Sequence, residues 1–234
     1  MTLTRRGLAG LAIATVAVGP VFAADAPKTF PAKKMFPFLD LYLGIPPADR
    51  TRFTLAYYLR SNGKPATGVT LTLISAAGAR STIPVGADGR LLKTPSVADL
   101  KDGQIGIEKS DPAAKFQLSM EMQAVARMAD VVPAADLAAA ITQCKAAIKA
   151  KAGVIGFAAP QVEQVAFPGL TAGTAVFADG RTAALPLYKG MPAWNPATQA
   201  GVVSLKFART PSRALLAGKK SPGRGQVILS LGTG

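Results

Sequence analysis

Phe53-Thr-Leu-Ala-Tyr-Tyr-Leu59 and Val69-Thr-Leu-Thr-Leu-Ile74 decide how this chain folds. In an extended chain, Phe53, Leu55, Tyr57 and Leu59 fall on one face, and Thr70 and Thr72 turn away from Leu71 and Leu73. A period of two marks strands with one face buried. Asn62-Gly63 lies between the runs, and both residues tolerate positive φ, so a turn is expected there. The two runs are therefore expected to pair antiparallel, through more loop than a minimal hairpin needs.

Downstream, Gly78, Asp88-Gly89 and Asp102-Gly103 punctuate short runs at 81–85, 90–93 and 104–107. Residues 115–123 close the series, with Phe116, Leu118, Met120 and Met122 expected to face inward. Short alternating strands at this spacing predict an immunoglobulin-like β-sandwich, or an open barrel, over 53–129. One helix is clear over 133–151. Pro133 suits a first helical position, and Asp136 sits at the positive end of the dipole with Lys145, Lys149 and Lys151 at the other. Leu137, Ile141, Cys144 and Ile148 form one apolar stripe, and Gly153 offers a stop. Strand patterns resume at 161–167, 173–177, 182–188, 202–207 and 227–231. The fold class is thus mainly β with one clear α-helix (α+β), and 130–234 forms either a second unit or part of the same core. Ala-Asp-Gly-Arg occurs at 87–90 and 178–181, which reads as one turn sequence used twice.

The chain has 234 residues, 27 Lys+Arg against 13 Asp+Glu, no His, one Cys and 49% hydrophobic residues. Without His, imidazole acid/base chemistry and the commonest metal ligand are absent. A single Cys excludes an internal disulfide framework and every multi-Cys metal site, so no metal or cofactor is expected.

The N-terminus reads as an address. Arg5 and Arg6 precede an apolar stretch from Leu8 to Val18, Gly19-Pro20 breaks it, and Val21-Phe22-Ala23 supplies small residues for a signal peptidase. This predicts a signal peptide over 1–23 and a periplasmic or secreted product, since the stretch is too short to span a bilayer. Thr4-Arg5-Arg6-Gly7-Leu8 resembles a bacterial twin-arginine signal, which implies export of a folded protein; the general secretory route stays open beside it. Cleavage removes Arg5 and Arg6 and lowers the net charge from +14 to +12. Residues 24–52 hold Pro27, Pro31, Pro37, Pro46 and Pro47 with Lys28, Lys33 and Lys34, a Pro/Lys-rich extended leader. Phe36, Phe38, Leu41 and Tyr42 are apolar enough to dock it on the body.

Candidate chemistry is sparse. Cys144 lies on the helical stripe and has no His to activate it. Ser61-Asn-Gly-Lys64 matches the Ser-x-x-Lys spacing of penicillin-binding enzymes, but Asn-Gly and Pro65 make a turn where that motif opens a helix. Gly218-Lys219-Lys220-Ser221 fails as a phosphate loop because Arg213 and Lys220 stand where Gly and Ser or Thr are needed. A His-independent hydrolase would need two converging carboxylates among Asp99, Asp102, Glu108, Asp111, Glu121, Glu163 and Asp179. Trp194, in a Pro-bounded stretch, is expected to plug a core edge more readily than to contact a ligand.

The charge distribution stands out. After Asp179 no acidic residue follows, while Arg181, Lys189, Lys206, Arg209, Arg213, Lys219, Lys220 and Arg224 do. Residues 217–225 read as a basic loop before the last strand. Arg209, Arg213, Lys219, Lys220 and Arg224 are therefore the candidate anion-binding residues. For an exported protein the matching partners are an anionic envelope polymer or lipid head groups, or another envelope protein through a sheet edge. Neither specific nucleic-acid recognition nor a membrane-spanning segment is expected. The resulting reading is an exported, non-enzymatic binding or envelope-associated protein. The alternatives are a His-independent carboxylate hydrolase acting on envelope polysaccharide, and an accessory subunit of a surface or secretion assembly.

Overall fold

A computed structural model of the chain describes residues 28–111, 113–155, 161–218 and 224–227. The expected signal segment 1–23 lies outside the described residues. The fold is mainly β, 38% strand against 20% helix, with sheets and one long helix.

In chain order the strands are β1 (Lys28–Pro31), β2 (Phe53–Ser61), β3 (Lys64–Pro65), β4 (Val69–Ile74), β5 (Arg80–Ile83), β6 (Gln104–Lys109), β7 (Gln117–Ala124) and β8 (Val131–Pro133). They continue as β9 (Gln164–Ala166), β10 (Thr174–Phe177), β11 (Thr182–Ala184), β12 (Leu187–Tyr188), β13 (Met191–Trp194), β14 (Val202–Lys206), β15 (Leu215–Ala217) and β16 (Arg224–Val227). The helices are α1 (Ala32–Met35), α2 (Leu39–Leu43), α3 (Val97–Asp102) and α4 (Ala134–Ile155).

Three sheets result. The longest runs β12-β13-β9-β15-β7-β2-β3, with β16 also on β7; the others run β1-β6-β4-β5 and β11-β10-β14-β8. The expected pairing of 53–59 with 69–74 does not occur. Asn62 (φ 50°) and Gly63 (φ 76°) do form a tight turn, but it joins β2 to the two-residue β3, Ser61 opposite Lys64. Ala66 N still donates to Leu59 O at 3.1 Å, but the Leu59 N–H goes to the Gly89 carbonyl at 2.7 Å, so the ladder stops there and the chain crosses to the other sheet before β4 begins. The long partner of β2 is β7, in register from Phe53 opposite Ala124 to Arg60 opposite Gln117. That register sets Leu55 on Met122, Tyr57 on Met120 and Leu59 on Leu118, apolar against apolar.

Two hydrophobic cores use opposite ends of this β2–β7 pair. In the first, Leu55, Tyr57, Leu59 and Leu118 meet Leu71, Leu73, Ile83, Ile105 and Ile107 of the facing sheet. In the second, Leu137, Ala140, Ile141 and Cys144 of α4 meet Val132, Val165, Phe167, Trp194, Leu205 and Leu216, joined by Ile45 and Phe53 from earlier in the chain. Tyr42 and Met122 pack against both. α4 begins at Ala134, one residue after the expected start, and runs through Gly153 to Ile155.

The leader is more than an extended strap. β1 pairs with β6, and α1 and α2 follow as single turns whose Ala32, Met35, Phe36 and Leu39 are buried in the first core. The prolines limit each element to four or five residues without preventing it, because Pro31 precedes α1 and Pro37 lies in the link between α1 and α2. The two Ala-Asp-Gly-Arg stretches are the same turn. Asp88 Oδ1 accepts from Arg90 N at 3.0 Å and Asp179 Oδ1 from Arg181 N at 3.0 Å. Gly89 and Gly180 sit at φ 84° and 83°.

Candidate functional site

Of the sequence-derived cations, Arg209 and Arg213 have described side chains, and the two are used differently. Arg213, just before β15, points inward. Its Nε donates to Glu121 Oε2 at 2.7 Å and its Nη2 to Oε1 at 3.0 Å, a two-pronged pair. The Glu121 side chain is 2% exposed and that of Arg213 16%. Burial would lower the pKa of Arg213, but the Glu121 hydrogen bonds and charge outweigh it, and the guanidinium is held charged beyond its ordinary range. Arg209 is exposed and donates to the Gly169 carbonyl. Lys219 and Lys220 lie outside the described residues, and the backbone of Arg224 pairs opposite Glu121.

Strand alternation explains why an ion pair sits inside. In β7, Met120 and Met122 turn to the cores, so Glu121 and Gln123 take the other face. Tyr58 in β2, Leu215 and Ala217 in β15, and Gln164 and Ala166 in β9 share that face. Tyr58, Ala166, Leu215 and Ala217 are buried without belonging to either core. Gln123 Nε2 donates to Glu121 Oε2 at 2.9 Å and to the Tyr58 hydroxyl at 2.8 Å. The Arg213 guanidinium lies 5.0 Å from the Tyr58 ring centroid and that of Arg60 lies 5.4 Å away. The amide nitrogen of Gln164 is buried with no acceptor among the described residues.

This cluster joins β2, β7 and the residues leading into β15. Glu121 accepts three hydrogen bonds and faces a permanent cation, so its lone pairs are committed rather than free for a nucleophile or base. Three of the other acids hold local structure. Asp99 forms a capping box with Ser96 at the start of α3. Asp111 accepts from Ala113 N, and Asp179 holds the turn with Arg181, whose contacts keep its carboxyl below the usual range. No group of three or more His, Cys, Asp or Glu suited to a metal ion occurs among the described residues.

Cys144 is fully buried against Met122, and burial pushes its thiol up to about 12. Trp194 is 3% exposed and sits in β13 within the second core, as expected of a plug rather than a contact residue. Its indole N–H finds no acceptor among the described residues.

The exposed cations that remain include Lys189, Lys206 and Arg209. Lys189 holds a left-handed φ of 49° at the β12–β13 turn, its ammonium 5.6 Å from the Tyr188 ring centroid. The Tyr188 hydroxyl donates to the Gly218 carbonyl at 3.0 Å. That bond ties this hairpin to the residue preceding Lys219. Gly218 is required there, since a Cβ would approach the Gln161 carbonyl oxygen to 2.0 Å.

Sequence reasoning named Glu121 as one acid among several and Arg213 as a surface cation, and missed Tyr58 and Gln123. The only signal was the alternation of Glu121 and Gln123 with methionines, which also fits a solvated strand face. No family model, curated protein or solved structure matches the chain.

Proposed function

We propose that this is an exported, non-enzymatic protein that binds anionic envelope material through exposed, unneutralised cations. The observation that carries the reading is a run of exposed cations in a stretch of sequence without acids. Among the described residues, carboxylates are given to Lys33, Arg52, Arg181 and Arg213. Lys189, Lys206 and Arg209 stay exposed without one, in the part of the sequence that has no acid after Asp179. Lys219, Lys220 and Arg224 extend that set by sequence. Arg213 is left out of it, because its charge is spent on Glu121. The commitment of Glu121 to Arg213 also weighs against a carboxylate hydrolase.

The test is retention of the purified protein on immobilised lipopolysaccharide through a salt series. Affinity falls steeply between about 50 and 200 mM salt if released counterions drive it, and Lys206→Glu with Arg209→Glu elutes earlier. Salt-independent retention, or none at low salt, removes the mechanism. N-terminal sequencing from the native host is expected to begin at Ala24; an intact Met1 removes export. We also read the facing sheets within 53–129 as immunoglobulin-like, and an experimental strand order of another kind would retire that reading.

A further inference from the structure

We propose that the outward face of α1 and α2 is a contact surface for an anionic lipid bilayer, with Phe38 entering the interface and Lys34 and Lys28 meeting the head groups. Phe38 carries the inference. It is 43% exposed between Phe36 and Leu39, each 1% exposed. Its backbone is left-handed, φ 62° and ψ 0°, a region in which a bulky side chain is an outlier. Neither burial nor backbone preference accounts for phenylalanine here.

The surrounding frame fixes where the ring points. The buried Tyr57 donates its hydroxyl to the Pro37 carbonyl at 2.6 Å. Leu39 N donates to Phe36 O at 3.3 Å, and Tyr42 N to Phe38 O at 3.0 Å. With Phe36 and Leu39 sunk in the first core, residue 38 is turned to solvent.

The exposed charges of the same segment suit an anionic surface. Ala32, Met35 and Phe36 form the buried side of α1, which leaves Lys33 and Lys34 outward, and Lys28 is exposed on β1. Asp40 offsets one of these charges by pairing with Lys33 at 3.3 Å. Val97, 59% exposed, opens α3, which packs on α1 and α2. An exposed aromatic in a lysine-bearing segment is the pattern of interfacial anchoring. A soluble polyanion would use the lysines but gain nothing from the ring, which is why a bilayer is the occupant argued for.

This inference narrows the anionic partner of the proposed function to lipid, at residues outside the C-terminal region, so the two fail separately. The experiment is co-sedimentation of the full chain with vesicles of phosphatidylglycerol and phosphatidylcholine, against phosphatidylcholine alone, with thermal unfolding of each variant. Binding is expected only to the anionic vesicles. Phe38→Gly is expected to weaken it about fivefold without lowering Tm, because glycine accepts this φ. Lys34→Ala is expected to weaken it about fivefold. Phe38→Trp retains it. Three results overturn the inference: unchanged binding by Phe38→Gly, equal binding to neutral vesicles, or retention on lipopolysaccharide with no vesicle binding. The last leaves the proposed function standing.

Discussion

Replacing Arg213 by alanine removes the only cation hydrogen-bonded to Glu121 among the described residues and leaves that carboxylate with the single Gln123 amide bond. Breaking a buried ion pair from one side costs about 3–5 kcal/mol, because the remaining charge stays out of water without a partner. Arg213 keeps 16% of its side chain exposed, so water can reach the gap and the lower end, about 3 kcal/mol, is expected. In a chain of this size each kcal/mol lowers Tm by about 2–4 °C, which predicts a fall of about 6–12 °C. Urea unfolding followed by circular dichroism should show a lower midpoint at unchanged slope. The double variant Arg213→Met, Glu121→Met removes both charges and is expected to recover to within about 1 kcal/mol of the parent, since apolar replacement of a buried pair is often neutral. A loss under about 1 kcal/mol in Arg213→Ala would mean that the pair is solvated. A double variant as damaged as the single one would mean that packing rather than charge holds these strands.

The two identical turns offer an internal control: Gly89→Ala brings a Cβ to 2.5 Å from the Leu59 carbonyl oxygen, whereas at Gly180 nothing lies within 4 Å. Gly180→Ala is expected to cost only the left-handed strain of about 1–2 kcal/mol and Gly89→Ala clearly more, compared by chemical denaturation; equal losses would contradict the difference in surroundings. Cys144 should resist thiol reagents at pH 8 until the protein unfolds. Its thiol is raised from 9.0 to about 12 by burial, so the folded state holds this proton more tightly. That contribution is complete below pH 9 and is lost as pH climbs towards 12, and Cys144→Ala should flatten that part of the stability-against-pH curve.

What was legible in the chain is what local period encodes. The alternation at 53–59 and 115–123 marks β2 and β7, the apolar stripe marks α4, and Asn62-Gly63, Asp88-Gly89 and Asp179-Gly180 mark turns that form, whereas Asp102-Gly103 ends α3 with Gly103 extended. Strand partners were not legible, because Leu71 and Leu73 suit equally a strand beside Leu55 and one facing it across a core. Only the loop between Gly63 and Val69, longer than a minimal hairpin needs, hinted at the second. Short strands were missed where proline or length hides the alternation: β8 ends in Pro133, Trp194 closes a strand that contains Pro192, and β15 has three residues. The inward turn of Arg213 was hidden for another reason. A cation two residues before a strand looks solvated unless one knows that Glu121, ninety-two positions away, is buried on the strand beside it.

The far face of the long sheet explains why charge counting overstates the surface available to a partner. β7 offers apolar Met120 and Met122 to the cores and polar Glu121 and Gln123 to the other side, an arrangement that in a two-layer protein would leave Glu121 in water. Here that side is buried as well, and burial selects for Glu121 only if a cation accompanies it. Arg213 meets that condition, so a residue that raises the net charge does nothing for the outer field. The same reasoning returns Phe38 to the surface. Its apolar side chain counts towards a core by composition, yet the buried residues on either side and the Tyr57–Pro37 hydrogen bond turn it outward. In both places the neighbours fixed in the core, rather than the residue's own chemistry, decide which side of the surface it occupies.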